Sequence, residues 1–293
     1  MENKIFLGWA HSNIPTGMNF GDELSPYIVK RITNKNIYYV PVLKNRFHLL
    51  LIIAKRFVTF KFKDVFNLIQ ILFGKKYYLV VGSIIEFYTL SGAVVWGAGC
   101  IDSTSNVGKK KYFAVRGPFT RRVLMDKGEI VPMVFGDPAL VLRKLYDKEI
   151  DKKYKVGVIP HVINVQEIKD ASSFETINII DLRSNSIESI IDQIRSCEFI
   201  FTESLHGLIV AHVYSIPAIW SNIGTNKLIG DNIKFKDYFA SVEIDYYNPI
   251  NIIIDDKLII KSLTLQTDYY NRLLPDDQIL EEISENLMNN IPF

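Results

Sequence analysis

Cysteine is nearly missing from this chain: its 293 residues hold two, Cys100 and Cys197, neither with a second Cys or a His at metal-ligand spacing. That excludes a disulfide-stapled scaffold and a zinc finger, leaves no metal site to propose, and reads both thiols as reduced. An excess of one charge is missing too. Lys and Arg number 34 against 32 Asp and Glu, a net +2, so the chain is not a global nucleic-acid binder. No uninterrupted apolar run reaches the roughly 18 residues of a spanning helix. The opening MENKIFLGWAHSNIP has neither the apolar core nor the small-residue cleavage site of a signal peptide. Cytoplasmic residence is the expectation. With 48% hydrophobic and 23% charged residues the composition is that of a folded protein, and the length suits two α/β domains.

What the chain does have is alternation. Short apolar runs take turns with helix-like segments, the pattern of parallel sheets built from strand-helix-strand units. In the first half the strands are expected at Lys4 to Trp9, Ile37 to Pro41, Tyr77 to Gly82, Ala93 to Gly97 and Tyr112 to Arg116. Helices are expected from Asp22 to Thr33 and from Pro118, suited to a first helical position, to Gly128. The charged stretch RKLYDKEIDKKYK after Leu142 has no apolar period and reads as a linker. It divides the chain into a domain over 1–148 and another over 149–293. The second half repeats the alternation, with strands at Lys155 to Ile159, Thr176 to Asp181, Phe199 to Thr202 and Ala218 to Ser221, and helices at Ile187 to Ser196 and Leu205 to Tyr214. A last amphipathic helix follows Pro275, placed to pack back on the first domain. Two doubly wound domains would turn their strand carboxyl ends to one cleft.

One stretch stands apart. Within 43–76 lie Lys44, Arg46, Lys55, Arg56, Lys61, Lys63, Lys75 and Lys76 against a single acid, Asp64, with aromatic and aliphatic residues between them. That is the composition of a helix pair on an anionic bilayer. It is equally that of two surface helices with basic outer faces.

Four constellations sit at expected strand-to-helix junctions. In Gly17-Met18-Asn19-Phe20-Gly21-Asp22, glycines and Asn19 permit unusual backbone angles and the next helix offers free amides to an anion or hydroxyl. Asp22 reads either as part of that site or as the helix cap. Trp96-Gly97-Ala98-Gly99-Cys100 would let a ligand approach the backbone, or is a structural turn, so Gly97 and Gly99 are taken as lining. Arg116, in Val115-Arg116-Gly117-Pro118, projects from a strand end. Its planar fork either clamps a carboxylate or phosphate or makes a salt bridge to Asp137 in Phe135-Gly136-Asp137-Pro138. Thr202-Glu203-Ser204-Leu205-His206-Gly207 ends a strand and opens a helix. Ser204 suits the cap, Gly207 the first turn and Glu203 the orientation of the ring or acid-base work. The dipole there disfavours protonated His206 unless an anion is bound.

Taken in order, Asn19-Phe20-Gly21-Asp22-Glu23-Leu24, Trp96-Gly97-Ala98-Gly99, Val115-Arg116-Gly117-Pro118-Phe119-Thr120, Gly136-Asp137-Pro138-Ala139 and Ser204-Leu205-His206-Gly207, with Ile216-Pro217 downstream, resemble the polysaccharide pyruvyl transferase family. The blocks run from residue 17 to about residue 220. The resemblance implies a fold like the B-type glycosyltransferases, phosphoenolpyruvate as donor, and as acceptor a hydroxyl pair of a surface glycan or its lipid-linked precursor. It implies no cofactor beyond that donor. It makes Arg116 and His206 the donor-handling residues and suits a peripheral site on the inner membrane face. Several members carry an arginine two positions before the histidine, where this chain has Ser204. The second cation must then come from elsewhere, and His161 is the candidate. Two rivals share the fold: a B-type glycosyltransferase using a nucleotide sugar, and a catalytically silent glycan-binding protein. Trp9, Trp220, Tyr246 and Tyr247 are either sugar-stacking or core residues.

Overall fold

The computed structural model describes residues 4–10, 19–104, 107–171, 177–183, 186–223, 231–255, 257–268 and 270–293. Gly17 and Met18 of the first constellation lie outside them. The first half runs β1 (Lys4–Gly8), α1 (Phe20–Thr33), β2 (Asn36–Val40), α2 (Arg46–Val58), α3 (Phe62–Leu72), β3 (Tyr77–Leu79), β4 (Ala93–Trp96), β5 (Lys111–Ala114), α4 (Pro118–Asp126) and α5 (Leu142–Leu145). The second runs β6 (Tyr154–Ile159), α6 (Val165–Ala171), β7 (Ile177–Ile179), α7 (Ile187–Arg195), β8 (Cys197–Thr202), α8 (Leu205–Val213), β9 (Ala218–Asn222), α9 (Ile233–Ser241), β10 (Ile250–Asn251), α10 (Leu258–Asp268), α11 (Tyr270–Leu273) and α12 (Asp277–Asn289).

Both halves form a five-stranded sheet, ordered β2-β1-β3-β4-β5 and β7-β6-β8-β9-β10, and every strand pair is parallel. The two sheets therefore have one topology without any repeat in sequence, and the expected pair of doubly wound α/β domains is what the chain forms. In each sheet the order reverses beside the first strand, between β1 and β3 and between β6 and β8. Such switch points open a crevice at the strand carboxyl ends.

Local chemistry explains the boundaries. Asn19 caps α1 by accepting from Gly21 N, which corrects the expectation that Asp22 is the cap, and the helix stops where Asn34 turns left-handed at φ 53°. Pro118 opens α4 and Ser204 caps α8. Helix α8 is buried nearly all round, as its continuous apolar sequence requires. The expected linker is irregular only in part, since its start is the single turn of α5.

One apolar core passes from α1 through Ala139–Leu142 into the second sheet, while a second lies on the other face of the first sheet beneath α2 and α3. The chain's end returns to the first half, where Trp96 Nε1 donates to the Leu287 carbonyl at 3.0 Å and Phe293 sets its ring against Tyr78 and Trp96. Trp9, Trp220 and Tyr247 are core residues, Trp220 stacked on Phe235 at 3.9 Å, and Tyr246 alone of the four aromatics is exposed. Both cysteines are free and buried, and burial raises the Cys100 thiol to about 12 and the Cys197 thiol to about 11.

Candidate functional site

The two switch points face one cavity of about 250 Å³. Ala10 follows β1, Gly82, Ser83 and Ile84 follow β3, and Arg116 follows β5; from the other half come His161 after β6, Leu182 after β7, and Ser204, Leu205 and His206 after β8. Asn19 and Asp22 reach it from α1, and Lys234 from α9. Six of the residues singled out from sequence thus meet here: Asn19, Asp22, Arg116, His161, Ser204 and His206.

Arg116 is 1% exposed and held from several sides. Its Nη1 donates to Ser83 Oγ at 2.7 Å, and its Nη2 to the Cys100 carbonyl at 2.8 Å and to Asp237 Oδ2 at 3.2 Å. The ion pair is therefore with Asp237 of α9, not with Asp137 as the sequence suggested, and it crosses between the halves with both members buried. Asp237 also accepts from Thr120 N and Thr120 Oγ1 at the start of α4. Nε of Arg116 is buried without a partner among the described residues. A donor left that way disfavours the empty state and suits an incoming acceptor.

His206 sits in the first turn of α8, its Nε2 3.6 Å from Asp137 Oδ2. That separation is too long for a hydrogen bond, so both atoms are buried without a partner among the described residues. Asp137 Oδ1 accepts from Ala139 N at 2.9 Å, which fixes the carboxylate facing the imidazole. The other side of the ring explains a glycine: a Cβ on Gly21 would lie 2.1 Å from His206 Nδ1. Gly99 does the same for the guanidinium, since a Cβ there would lie 2.4 Å from Arg116 Cζ. Two glycines of the sequence blocks are thus seats for His206 and Arg116.

Four expected site residues do not line the cavity. Gly97, at φ +86°, packs against Pro138, and Gly99 backs Arg116. Gly207 donates its N–H to Ser204 Oγ at 3.3 Å and packs on Thr202 and Ile159, leaving the amides of Leu205 and His206, which have no intrahelical acceptor, at the cleft. Glu203 is 3% exposed. It accepts from His161 N, Asn164 Nδ2 and Ile223 N, at 2.8, 3.0 and 3.0 Å. Those bonds tie three loops together and correct the expectation of an acid-base role there.

His161 lines the cavity but is a poor cation. Burial first, and the neighbouring Lys234 second, lower its pKa from the ordinary value, which disfavours the protonated ring. Lys234 is the residue that sequence reasoning missed. No described carboxylate pairs with its ammonium, and burial, followed by the like charge of Arg116, brings its pKa down to about 8. No local motif marks it, because it lies on α9, far along the chain from the other site residues. A larger depression of about 810 Å³, lined by Ser215, Glu243, Asp276 and Asp277 among others, has no cation in its wall among the described residues.

Paired switch points, capped helix amides and three basic side chains define the class: a two-domain α/β protein with a cation-lined cleft between its halves. The sequence profile of the polysaccharide pyruvyl transferase family matches residues 19–224, and the chain belongs to that family. Arg116, Asp137 and His206 fall within the match, whereas α9, with Lys234 and Asp237, lies beyond it. An uncharacterised protein of Acanthamoeba polyphaga mimivirus is 31% identical over 157 residues, 51% of this chain and 55% of that protein. The chain thus spans about half the length of that curated relative. A solved structure from Listeria monocytogenes, provisionally described as a UDP-N-acetylglucosamine 2-epimerase, aligns at 10% identity over 97% of this chain and 91% of its own, with a TM-score of 0.44.

Proposed function

We propose that the chain transfers pyruvate from phosphoenolpyruvate to a hydroxyl pair of a surface glycan or its lipid-linked precursor, as a cyclic ketal. The observation that carries this reading is the convergence of Arg116, His206 and Lys234 on one small cavity. A dianion of three carbons needs fixed cations and oriented donors. Lys234 is a cation without a carboxylate among the described residues, and Arg116 and the first turn of α8 line the same space. The cavity, of about 250 Å³, has room for a phosphorylated three-carbon acid.

In this scheme Lys234 and Arg116 hold the phosphate and carboxylate. Protonated His206, oriented by Asp137, gives its proton to the donor's methylene carbon, leaving an oxocarbenium-like centre at the adjacent carbon. One sugar hydroxyl adds there and passes its proton to Asp22, which takes the part of base that Glu203 is too occupied to play. The second hydroxyl displaces phosphate, and its proton returns to His206. One proton enters the new methyl group, two leave the hydroxyls, and inorganic phosphate departs with the proton that Asp22 received, which restores both groups.

Thermal unfolding with phosphoenolpyruvate against uridine diphosphate sugars tests the donor, since a ligand that binds only the folded state raises the melting point. Stabilisation by phosphoenolpyruvate alone is expected. Stabilisation by the nucleotide sugars alone would transfer the chain to the glycosyltransferase reading. Phosphate release on adding lipid-linked oligosaccharide would exclude the silent glycan binder.

A further inference from the structure

Helices α2 and α3 form a hairpin inserted between β2 and β3, and its outer surface is unlike the rest of the molecule. Of nineteen large apolar side chains exposed among the described residues, nine lie within residues 47–73. They are ordered along the helices. On α2 the positions 47, 50, 51, 54 and 58, spaced as one helical face, carry Phe47, Leu50, Leu51, Ala54 and Val58 to solvent, while Leu49 is buried on the opposite side. A helix apolar on both faces has a second apolar neighbour still to meet.

The turn after α2 sharpens the point. Phe57, Phe60 and Phe62 make a cluster of edge-on rings with centroid separations of 5.5 and 6.0 Å. Phe60 is 80% exposed and its backbone is left-handed at φ 57°, a conformation that glycine or asparagine adopts far more readily. The turn closes the end of α2, with Phe60 N donating to Phe57 O at 3.0 Å and Lys61 N to Arg56 O at 2.9 Å, and it presents a phenyl ring to water at a position where glycine or asparagine would serve the backbone better.

Charge identifies what the surface meets. Arg46 and Lys55 lie on either side of the apolar face of α2, and Lys61 and Lys63 follow at the turn, all exposed. Asp64, the one acid of residues 43–76, is half-buried and lies 3.8 Å from Arg56. A second copy of this chain would bring the same cations face to face across a two-fold axis with no acids to receive them. The helix cannot cross a bilayer: the 13 residues of α2 extend about 20 Å against a hydrocarbon core of about 30 Å, and no described helix is long and apolar enough to span. A face of phenyl and leucyl groups rimmed by lysines matches the boundary between anionic headgroups and acyl chains.

We propose that the α2–α3 hairpin docks this protein on an anionic lipid bilayer, with Phe57, Phe60 and Phe62 in the headgroup boundary and Lys55, Lys61 and Lys63 on lipid phosphates. This surface is independent of the catalytic reading and stands or falls apart from it.

Co-sedimentation of the full chain with phosphatidylcholine vesicles, with and without phosphatidylglycerol, is the test. Binding is expected to the anionic vesicles alone and to weaken with salt. Replacing Lys55, Lys61 and Lys63 by Gln should weaken it roughly five-fold per lysine, on the order of a hundred-fold together. Phe60→Asn discriminates best. Asparagine suits the left-handed turn, so the soluble protein should unfold at the same or a higher temperature while vesicle binding falls. Equal affinity for neutral vesicles, no binding to either, or a dimer in sedimentation equilibrium that Phe60→Asn dissociates would each overturn the proposal, the last in favour of a second copy.

Discussion

The molecule has two basic regions that work in opposite ways. In the cleft the cations are few and buried, and Arg116 is locked to Ser83, Cys100 and Asp237. On the α2–α3 hairpin they are many, solvated and mounted on flexible stems among exposed phenyl rings. A buried charge must be matched by partners or by a ligand, and so defines a small site of fixed geometry. A solvated charge is screened and defines only the sign of a broad surface.

The sharpest way to break that contrast is to remove the match. Asp237→Ala would strand Arg116 as a buried unpaired charge, and a loss of about 3–5 kcal/mol is expected in chemical denaturation. A loss below 1 kcal/mol would mean that the pair is not closed in solution. Next comes chemistry without stability. His206→Ala should lower turnover by about 10²–10⁴-fold with little change in unfolding midpoint. Gly21→Ala should lower turnover too, because its Cβ displaces the imidazole.

Lys234 tests the contrast from the other side. Lys234→Met should raise the donor KM by about tenfold or more, while the protein unfolds no more easily. The sign follows from linkage. Its folded pKa of about 8 lies below the ordinary 10.5 of a lysine, so the folded chain binds fewer protons than the open chain between those values, and this group's contribution to stability rises with pH across them. Donor binding should run the other way and weaken as the pH passes about 8, which donor KM against pH measures in wild type and variant. The smallest effect belongs to the hairpin. Neutralising Lys55, Lys61 and Lys63 should leave stability within about 0.5 kcal/mol and turnover on a soluble acceptor unchanged.

The strands were legible because parallel strands are buried on both faces and appear as unbroken apolar runs, as in Val94–Trp96 and Phe199–Phe201. Arg116 and His206 were legible because each sits at a strand-to-helix junction marked by glycine, serine or proline. Helix α9 was not. Asp237 faces inward to meet Arg116, so a charge stands where the apolar period asks for a hydrophobe, and Lys234 carries no neighbouring motif. Glu203 misled for a related reason: a carboxylate beside a functional histidine has the same sequence whether it serves the substrate or three backbone loops.

The Arg116–Asp237 pair and the return of the chain's end onto Trp96 have a mechanical consequence. They latch the two halves together at the mouth of the cleft and again behind the first sheet. Prising the halves apart would expose a buried charge pair, which holds them together. Under the proposed function, donor and product then come and go without parting the halves, and the radius of gyration in solution should be the same with and without phosphoenolpyruvate.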